Sequence, residues 1–179
     1  LIRSAAGLVR VLGNVDHRPL LKREELRGTY TGVGGLVVVG SHVKKTTEQL
    51  ECLLNAGLEL CPICFDAESA FTSGGLEKER DRVLMEAERA IRSGKTAVVG
   101  ELTVRPAFLI AKGGITSSDV GIRALGVHRA WVMGQVAPGV PVWRTGEESK
   151  FPGLSYVIFP GNVGGVTTLR DIVAMLLMP

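Results

Sequence analysis

The sequence predicts an α/β fold: a three-layer sandwich in which helices cover both faces of a largely parallel, or mixed, sheet. Three observations carry this. Short aliphatic and β-branched runs alternate along the chain with stretches of helical periodicity. The hydrophobic fraction of 45% draws on Val, Leu, Ile and Ala, with aromatics at only 5%, which is the composition of α/β packing. The 23 Gly residues cluster after the apolar runs, where a backbone must turn tightly or approach another group closely. At 179 residues the chain fits one domain.

Taken in order, Leu1, Ile2, Ala5, Leu8, Val9 and Leu12 give an amphipathic first helix. Its abrupt start without an initiator Met leads to the expectation that upstream sequence is absent. Residues 14–34 read as a connecting segment, with Asn14, Asp16, Pro19 and glycines at 28, 32, 34 and 35, so that 1–34 precede a regular domain over 35–179. Leu36-Val37-Val38-Val39 is a continuous run that suits a buried strand. Helical spacing follows from Thr46 through Leu50, Leu53 and Leu54, and 58–65 is the next strand. Glu77 to Arg92 is a charged amphipathic helix with Val83, Leu84, Ala87 and Ile91 inward. Strands at 96–99, 108–111, 130–133 and 156–159, a helix at 117–125 and a last helix at 168–178 complete the pattern.

One interval breaks the scheme. The strands at 96–99 and 107–111 lie only about seven residues apart, whereas a parallel crossover needs at least ~10 to 12. Either they pair antiparallel or the sequence omits residues between about Val99 and Arg105; omission is the expectation.

Charge and composition exclude several classes. The net charge of +3 is mild, and Lys and Arg are interspersed with Glu along the predicted helices, so nucleic acid is not an expected partner. No apolar stretch reaches the roughly 18 to 20 residues of a membrane span, and the N-terminus lacks a signal-peptide layout. A soluble, cytoplasmic protein is expected. Cys52, Cys61 and Cys64 are an odd number of thiols in a Val-rich α/β sequence, which argues for the reduced state.

Three Gly-bearing segments each follow a strand and precede a helix. In Lys112-Gly113-Gly114-Ile115-Thr116-Ser117-Ser118-Asp119, paired glycines let N–H groups crowd around an anion at a helix N-terminus. The alternative is a tight turn with Ser117 or Ser118 as N-cap and Asp119 in the first turn. In Val39-Gly40-Ser41-His42-Val43-Lys44-Lys45-Thr46-Thr47, two lysines occupy a first turn where the helix dipole disfavours cations, as an adjacent anion would explain; a solvated pair is the alternative. The third is Phe159-Pro160-Gly161-Asn162-Val163-Gly164-Gly165. In a largely parallel sheet the three would meet at one carboxyl edge, where open α/β folds bind ligands, and phosphate is the natural ligand.

Other motifs dissolve on inspection. Ser93-Gly94-Lys95-Thr96 imitates the end of a Walker A loop, but Arg89 stands where its first Gly is required, and a strand follows instead of preceding it. Cys61-Pro62-Ile63-Cys64 lacks a second pair or a nearby His to complete a zinc set. No Gly-x-Gly-x-x-Gly follows a strand with an acidic residue about 20 positions on, which weakens a dinucleotide-dependent dehydrogenase. His17 and His128 are isolated, Trp131 reads as core, and Trp143, in the Pro/Gly-rich segment 137–143, is a candidate to flank a ligand.

Gly40, Ser41, Thr46, Thr47 and Gln49, then Ala-Lys-Gly-Gly-Ile-Thr-Ser-Ser-Asp at 111–119, then Gly-Gln-x-Ala-Pro-Gly-Val-Pro-x-Trp at 134–143, then Pro-Gly-Asn-Val-Gly at 160–164 form an ordered set. This set resembles the C-terminal nucleotide-binding domain of the four-carbon acid sugar kinases, which act on tetronate, erythronate and threonate. The likeness runs from about residue 35 to the end, and the loop wording is most similar to the branch fused with a hydroxyisobutyrate-type dehydrogenase and a class II aldolase. It implies that Ser41 contacts ATP, that Gly113, Gly114, Ile115 and Thr116 wrap its phosphates, and that Gly161 lines the same site; Asn162 and Gly164 extend that loop. It also implies Mg²⁺ beside ATP, and transfer of the γ-phosphoryl group to a sugar acid held mainly by an N-terminal domain that this chain lacks, so that the chain alone is expected to be inactive. The alternative is a non-catalytic nucleotide-binding module of a fusion protein. Homodimerisation, the stereoisomer, the catalytic base and the adenine contacts stay open.

Overall fold

A computed structural model describes residues 12–14, 16, 18–27, 32, 34–40, 43–66, 72–98 and 105–177. In chain order the elements are α1 (Arg23–Arg27), β1 (Leu36–Val39), α2 (Lys44–Leu54), β2 (Leu60–Pro62), α3 (Gly75–Arg92), β3 (Thr96–Val98), β4 (Leu109–Lys112), α4 (Gly114–Asp119) continuing as a π-helical turn (Val120–Ala124), β5 (Ala130–Ala137), β6 (Val140–Thr145), β7 (Ser155–Phe159) and α5 (Thr168–Leu177). They build one seven-stranded sheet in the order β2-β3-β1-β4-β7-β6-β5. The five strands from β2 to β7 are mutually parallel; β6 runs antiparallel to β7, and β5 to β6. The first predicted helix falls almost wholly outside the described residues.

Side-chain alternation explains the layers. Val37, Ile110 and Val157 stand in register across β1, β4 and β7 and face one way, against Leu53 of α2 and Leu169, Ile172, Val173 and Leu176 of α5. Their neighbours Leu36, Leu109 and Tyr156 face the other way, against Val83, Ala87, Ala90 and Ile91 of α3. These side chains are almost wholly buried, and each Val, Leu and Ile among them contributes roughly 1.5–3 kcal/mol of transfer free energy. Strands buried on both faces have no need of polar alternation, which is why β1 and β4 read as unbroken apolar runs.

The irregular interval resolves in part. β3 and β4 do not pair with each other: both lie parallel to β1, which runs between them. The antiparallel alternative is therefore incorrect, and the expected omission falls within 99–104, outside the described residues.

Three sequence readings need correction. Residues 137–143 are no loop: Pro138 and Gly139 make a two-residue turn and Val140–Thr145 is an interior strand. Pro141 within β6 sits beside a register shift between Gln135 and Ala137, and such a bulge tolerates a residue that cannot donate to the ladder. Trp143 accordingly sits within β6 opposite Tyr156 and packs on the α3-side cluster, away from the turn. Trp131 is not core either; it is 81% exposed, because β5 is an edge strand.

Candidate functional site

β1, β4 and β7 are consecutive in the sheet and parallel, so the segments that leave their carboxyl ends emerge side by side. Gly113 starts the middle segment. Its N–H donates to the Phe159 carbonyl at 2.8 Å, and its φ of 121° with ψ 143° is accessible essentially to Gly alone. Gly113 caps α4, which begins at Gly114, ahead of the Ser117 or Ser118 cap weighed above. Ser117 is buried instead, its hydroxyl donating to the Ala111 carbonyl at 2.9 Å while its own carbonyl accepts the Tyr156 hydroxyl at 2.6 Å. Those two bonds fasten the start of α4 onto the sheet. Burial, only partly offset by the bond to Ser117, holds the Tyr156 hydroxyl well above the ordinary phenol range.

The β1 segment touches the β4 segment directly. The Gly40 N–H donates to the Lys112 carbonyl at 3.3 Å, and a Cβ on Gly40 would overlap the Thr116 hydroxyl. Glycine is needed there for approach. Ser41 follows immediately, but it lies outside the described residues.

The segment after β7 is held from below by side-chain donors. Lys112, fully buried, reaches the carbonyls of Pro160 at 2.7 Å and Gly161 at 3.1 Å, with its ammonium 4.0 Å above the centre of the Phe159 ring. Thr46 donates to the Gly161 carbonyl at 3.2 Å, and the Gln49 amide donates to the carbonyls of Val163 at 3.1 Å and Gly165 at 2.7 Å. Lys45 comes within 3.5 Å of the Asn162 carbonyl. Five carbonyls of one loop, those of Pro160, Gly161, Asn162, Val163 and Gly165, thus point inward at α2 and β4 through hydrogen bonds that fix its course. Gly164 takes φ 80° within it.

Electrostatically the edge is cationic. Lys45 and Lys112 sit under the same loop, and neither meets a carboxylate in an ion pair among the described residues. Burial lowers the Lys112 ammonium from its ordinary value to about 8, with the charge of Lys45 adding to the effect. Lys44 is different: it is exposed and pairs with Glu48 at 3.9 Å. Asp119, the one acidic residue of the Gly113 segment, is turned to Arg123 at 3.4 Å on the exposed side of its helix. Gly114 and Ile115 are exposed, Ile115 to 82%.

The fold therefore brings Gly40, Gly113, Thr116, Gly161 and Asn162 to one edge, with Gly114 and Ile115 at its surface and Gly164 further along the loop. Lys112, Thr46 and Gln49 were quoted above only as letters of a pattern, with no role given to their side chains. Gln49 carried a readable signal: it is one helical turn before Leu53, on the buried stripe of α2, where a fully buried amide requires partners.

A family model described as nucleotide-binding C-terminal domain matches residues 36–103 and 97–169. Among solved structures, a Bordetella bronchiseptica domain of unknown function (DUF1537), described with bound citrate and as a domain-swapped dimer, superposes with a TM-score of 0.60 at 20% identity, covering 87% of this chain and 43% of that one. A Salmonella typhimurium LT2 protein, provisionally described as a tRNA synthase, gives 0.59 at 16% identity over 93% of this chain and 44% of its own. A DUF1537 protein of Haemophilus influenzae gives 0.58 at 16% over 93% and 44%. Each supports the fold. This chain spans less than half the length of these relatives. No curated protein matches it.

Proposed function

We propose, from the premise that this chain belongs to the family of nucleotide-binding C-terminal domains, that it is the ATP-binding part of a kinase acting on a four-carbon sugar acid of the erythronate or threonate type. One observation carries the reading: three strand-end segments meet at the edge of β1, β4 and β7 over two lysines that have no carboxylate partner among the described residues. A helix start beneath a Gly-Gly pair, with the field of two ammonium groups that have no carboxylate partner among the described residues, favours a polyphosphate. In this scheme Ser41, Gly113, Gly114, Ile115 and Thr116 surround the phosphates, and Gly161, Asn162 and Gly164 form the opposite wall. The likeness of these motifs to the sugar-acid kinases, in particular to the branch fused with a dehydrogenase and an aldolase, supplies the substrate class.

In the transfer, the acceptor's terminal hydroxyl oxygen attacks the γ-phosphorus, the bond to the bridging oxygen of ADP breaks, and the hydroxyl proton passes to a base. The chain's own residues position the phosphates and stabilise their charge, which is the larger part of such catalysis. Among the described residues, Asp119 is the acidic group of the Gly113 segment, and it is turned toward Arg123 on the exposed side of its helix rather than into the edge. The described residues also do not fit a resident Mg²⁺ site: no cluster of three or more His, Cys, Asp or Glu suited to a metal occurs among them, and Asp119, the one acidic residue of the Gly113 segment, pairs with Arg123. Mg²⁺ in this reading arrives with the nucleotide. The base and most acceptor contacts then belong to sequence beyond this chain. A nucleotide-binding module without turnover is the second reading, and the turning of Asp119 toward Arg123 favours it. No helix among the described residues is long and apolar enough to cross a membrane.

ATP titration of this chain with and without Mg²⁺, repeated on Gly114→Val, tests the phosphate cradle. A Cβ at Gly114 meets open space, so the fold tolerates the change, whereas at Gly113 the positive φ would confound it. Affinity is expected to fall by about tenfold or more, the equivalent of ~1.4 kcal/mol; unchanged affinity removes residues 113–116 from the site. Activity of a longer protein on erythronate or threonate separates kinase from module.

A further inference from the structure

On the same edge, beyond the β7 loop, lies a cavity of about 570 Å³, within the range of small-molecule pockets. β6 is antiparallel to β7, so the turn joining β5 to β6 sits at the carboxyl end of β7 beside the Gly-bearing loop. A Cβ on Gly139 of that turn would press on Val163 at 3.1 Å, which places the two segments in contact. Between them, Ala137 and Pro138 form one wall, Ile172 and Met175 of α5 the other, and Gly164 and Gly165 the end nearest the lysines. The lining is mostly apolar, with Thr168 and Asp171 its polar side chains. Hydrogen bonds from Arg170, both to Oδ1, and a further one from the Thr167 side chain keep the Asp171 carboxyl below its ordinary value, hence ionised.

Resting on the proposed nucleotide reading, we infer that this cavity between the β5–β6 turn and α5 receives the purine ring of the nucleotide whose phosphates lie over Lys112 and Gly113. The geometry favours a flat apolar ring. Two opposed apolar walls can sandwich it, while the Asp171 carboxylate is an acceptor for an exocyclic amine. The cavity is also the right distance away. From β4 to β5 is three strand spacings, about 14 Å, which an extended nucleoside triphosphate spans. The loop between them, bound from beneath by Lys112, Thr46 and Gln49, becomes the floor along which sugar and phosphates run.

Calorimetric titration of the 179-residue chain with ATP, GTP and inorganic tripolyphosphate, each with Mg²⁺, tests this on Gly165→Leu and Met175→Trp. Gly165 leaves only an ordinary 3.8 Å contact for a Cβ, so a side chain there fills the cavity mouth without strain; Met175 is half-buried in its wall. Both variants are expected to weaken ATP by about ten- to a hundredfold while tripolyphosphate binding stays unchanged, and the ATP and GTP arms show which purine edge Asp171 prefers. Unchanged ATP affinity in the variants, or equal losses for ATP and tripolyphosphate, overturns the assignment. So does tripolyphosphate binding as tight as ATP in the unaltered chain, which leaves the phosphate cradle standing. If the unaltered chain binds neither, the nucleotide reading itself fails. Should Gly165→Leu not fold, Met175→Trp decides.

Discussion

Replacing Lys112 with Met is the perturbation with the most informative consequence, because opposing energies of similar size meet on that side chain. The ammonium is fully buried and donates to two loop carbonyls. Hydrogen bonds from a charged donor contribute roughly 1.5–3 kcal/mol each. Against this, carrying the charge in the buried position costs energy. The separation between the ordinary 10.5 and the lowered value of about 8 corresponds to about 3 kcal/mol at most, since the loop above is itself partly solvated. The Met variant should therefore differ from the parent by only about 1–2 kcal/mol at pH 7, with the loop loosened. The distinguishing signal is the dependence on pH. Above about pH 8 the native protein has lost this proton while the unfolded chain keeps it until near 10.5, so the unfolded state binds more protons and stability rises with pH. Tyr156 acts in the opposite sense at higher pH, because its raised value makes the unfolded chain lose its proton first. Urea unfolding between pH 7 and 9.5 isolates the lysine, and the parent should gain on the order of 2 kcal/mol over that window relative to the variant. ATP affinity should move the other way, weakening above pH 8 in the parent as the ammonium is lost, with no such step in the variant. Parallel stability curves for the two proteins would refute the argument that Lys112 is a buried, charged strut.

Three further outcomes follow from the same geometry. Gln49→Leu strips the donor from the Val163 and Gly165 carbonyls and should cost about 1–3 kcal/mol in chemical unfolding, with weaker ATP binding in calorimetry. Tyr156→Phe removes the bond to the Ser117 carbonyl and should lower stability by about 1 kcal/mol, while hydrogen exchange accelerates in residues 114–119. Gly40→Ala drives a methyl group against the Thr116 hydroxyl; we expect a cost of about 1–3 kcal/mol and a loss of ATP affinity larger than that of Thr116→Val.

The sequence by itself determined the α/β class, most of the parallel strands and the three Gly-bearing segments at strand ends. Runs such as 36–39 and 108–111 must be buried on both faces, and glycines placed soon after them announce close approach. Local pattern could not reveal what depends on neighbours distant in the chain. Whether Trp131 is covered depends on β5 lying at the sheet edge; whether Pro141 is tolerated depends on a bulge in its partner strand; that Lys112 turns inward depends on carbonyls 48 residues away. Tertiary structure alone set these because side-chain direction in a sheet is fixed by pairing and register, and the desolvation that makes Lys112 costly exists only once the β7 loop closes over it.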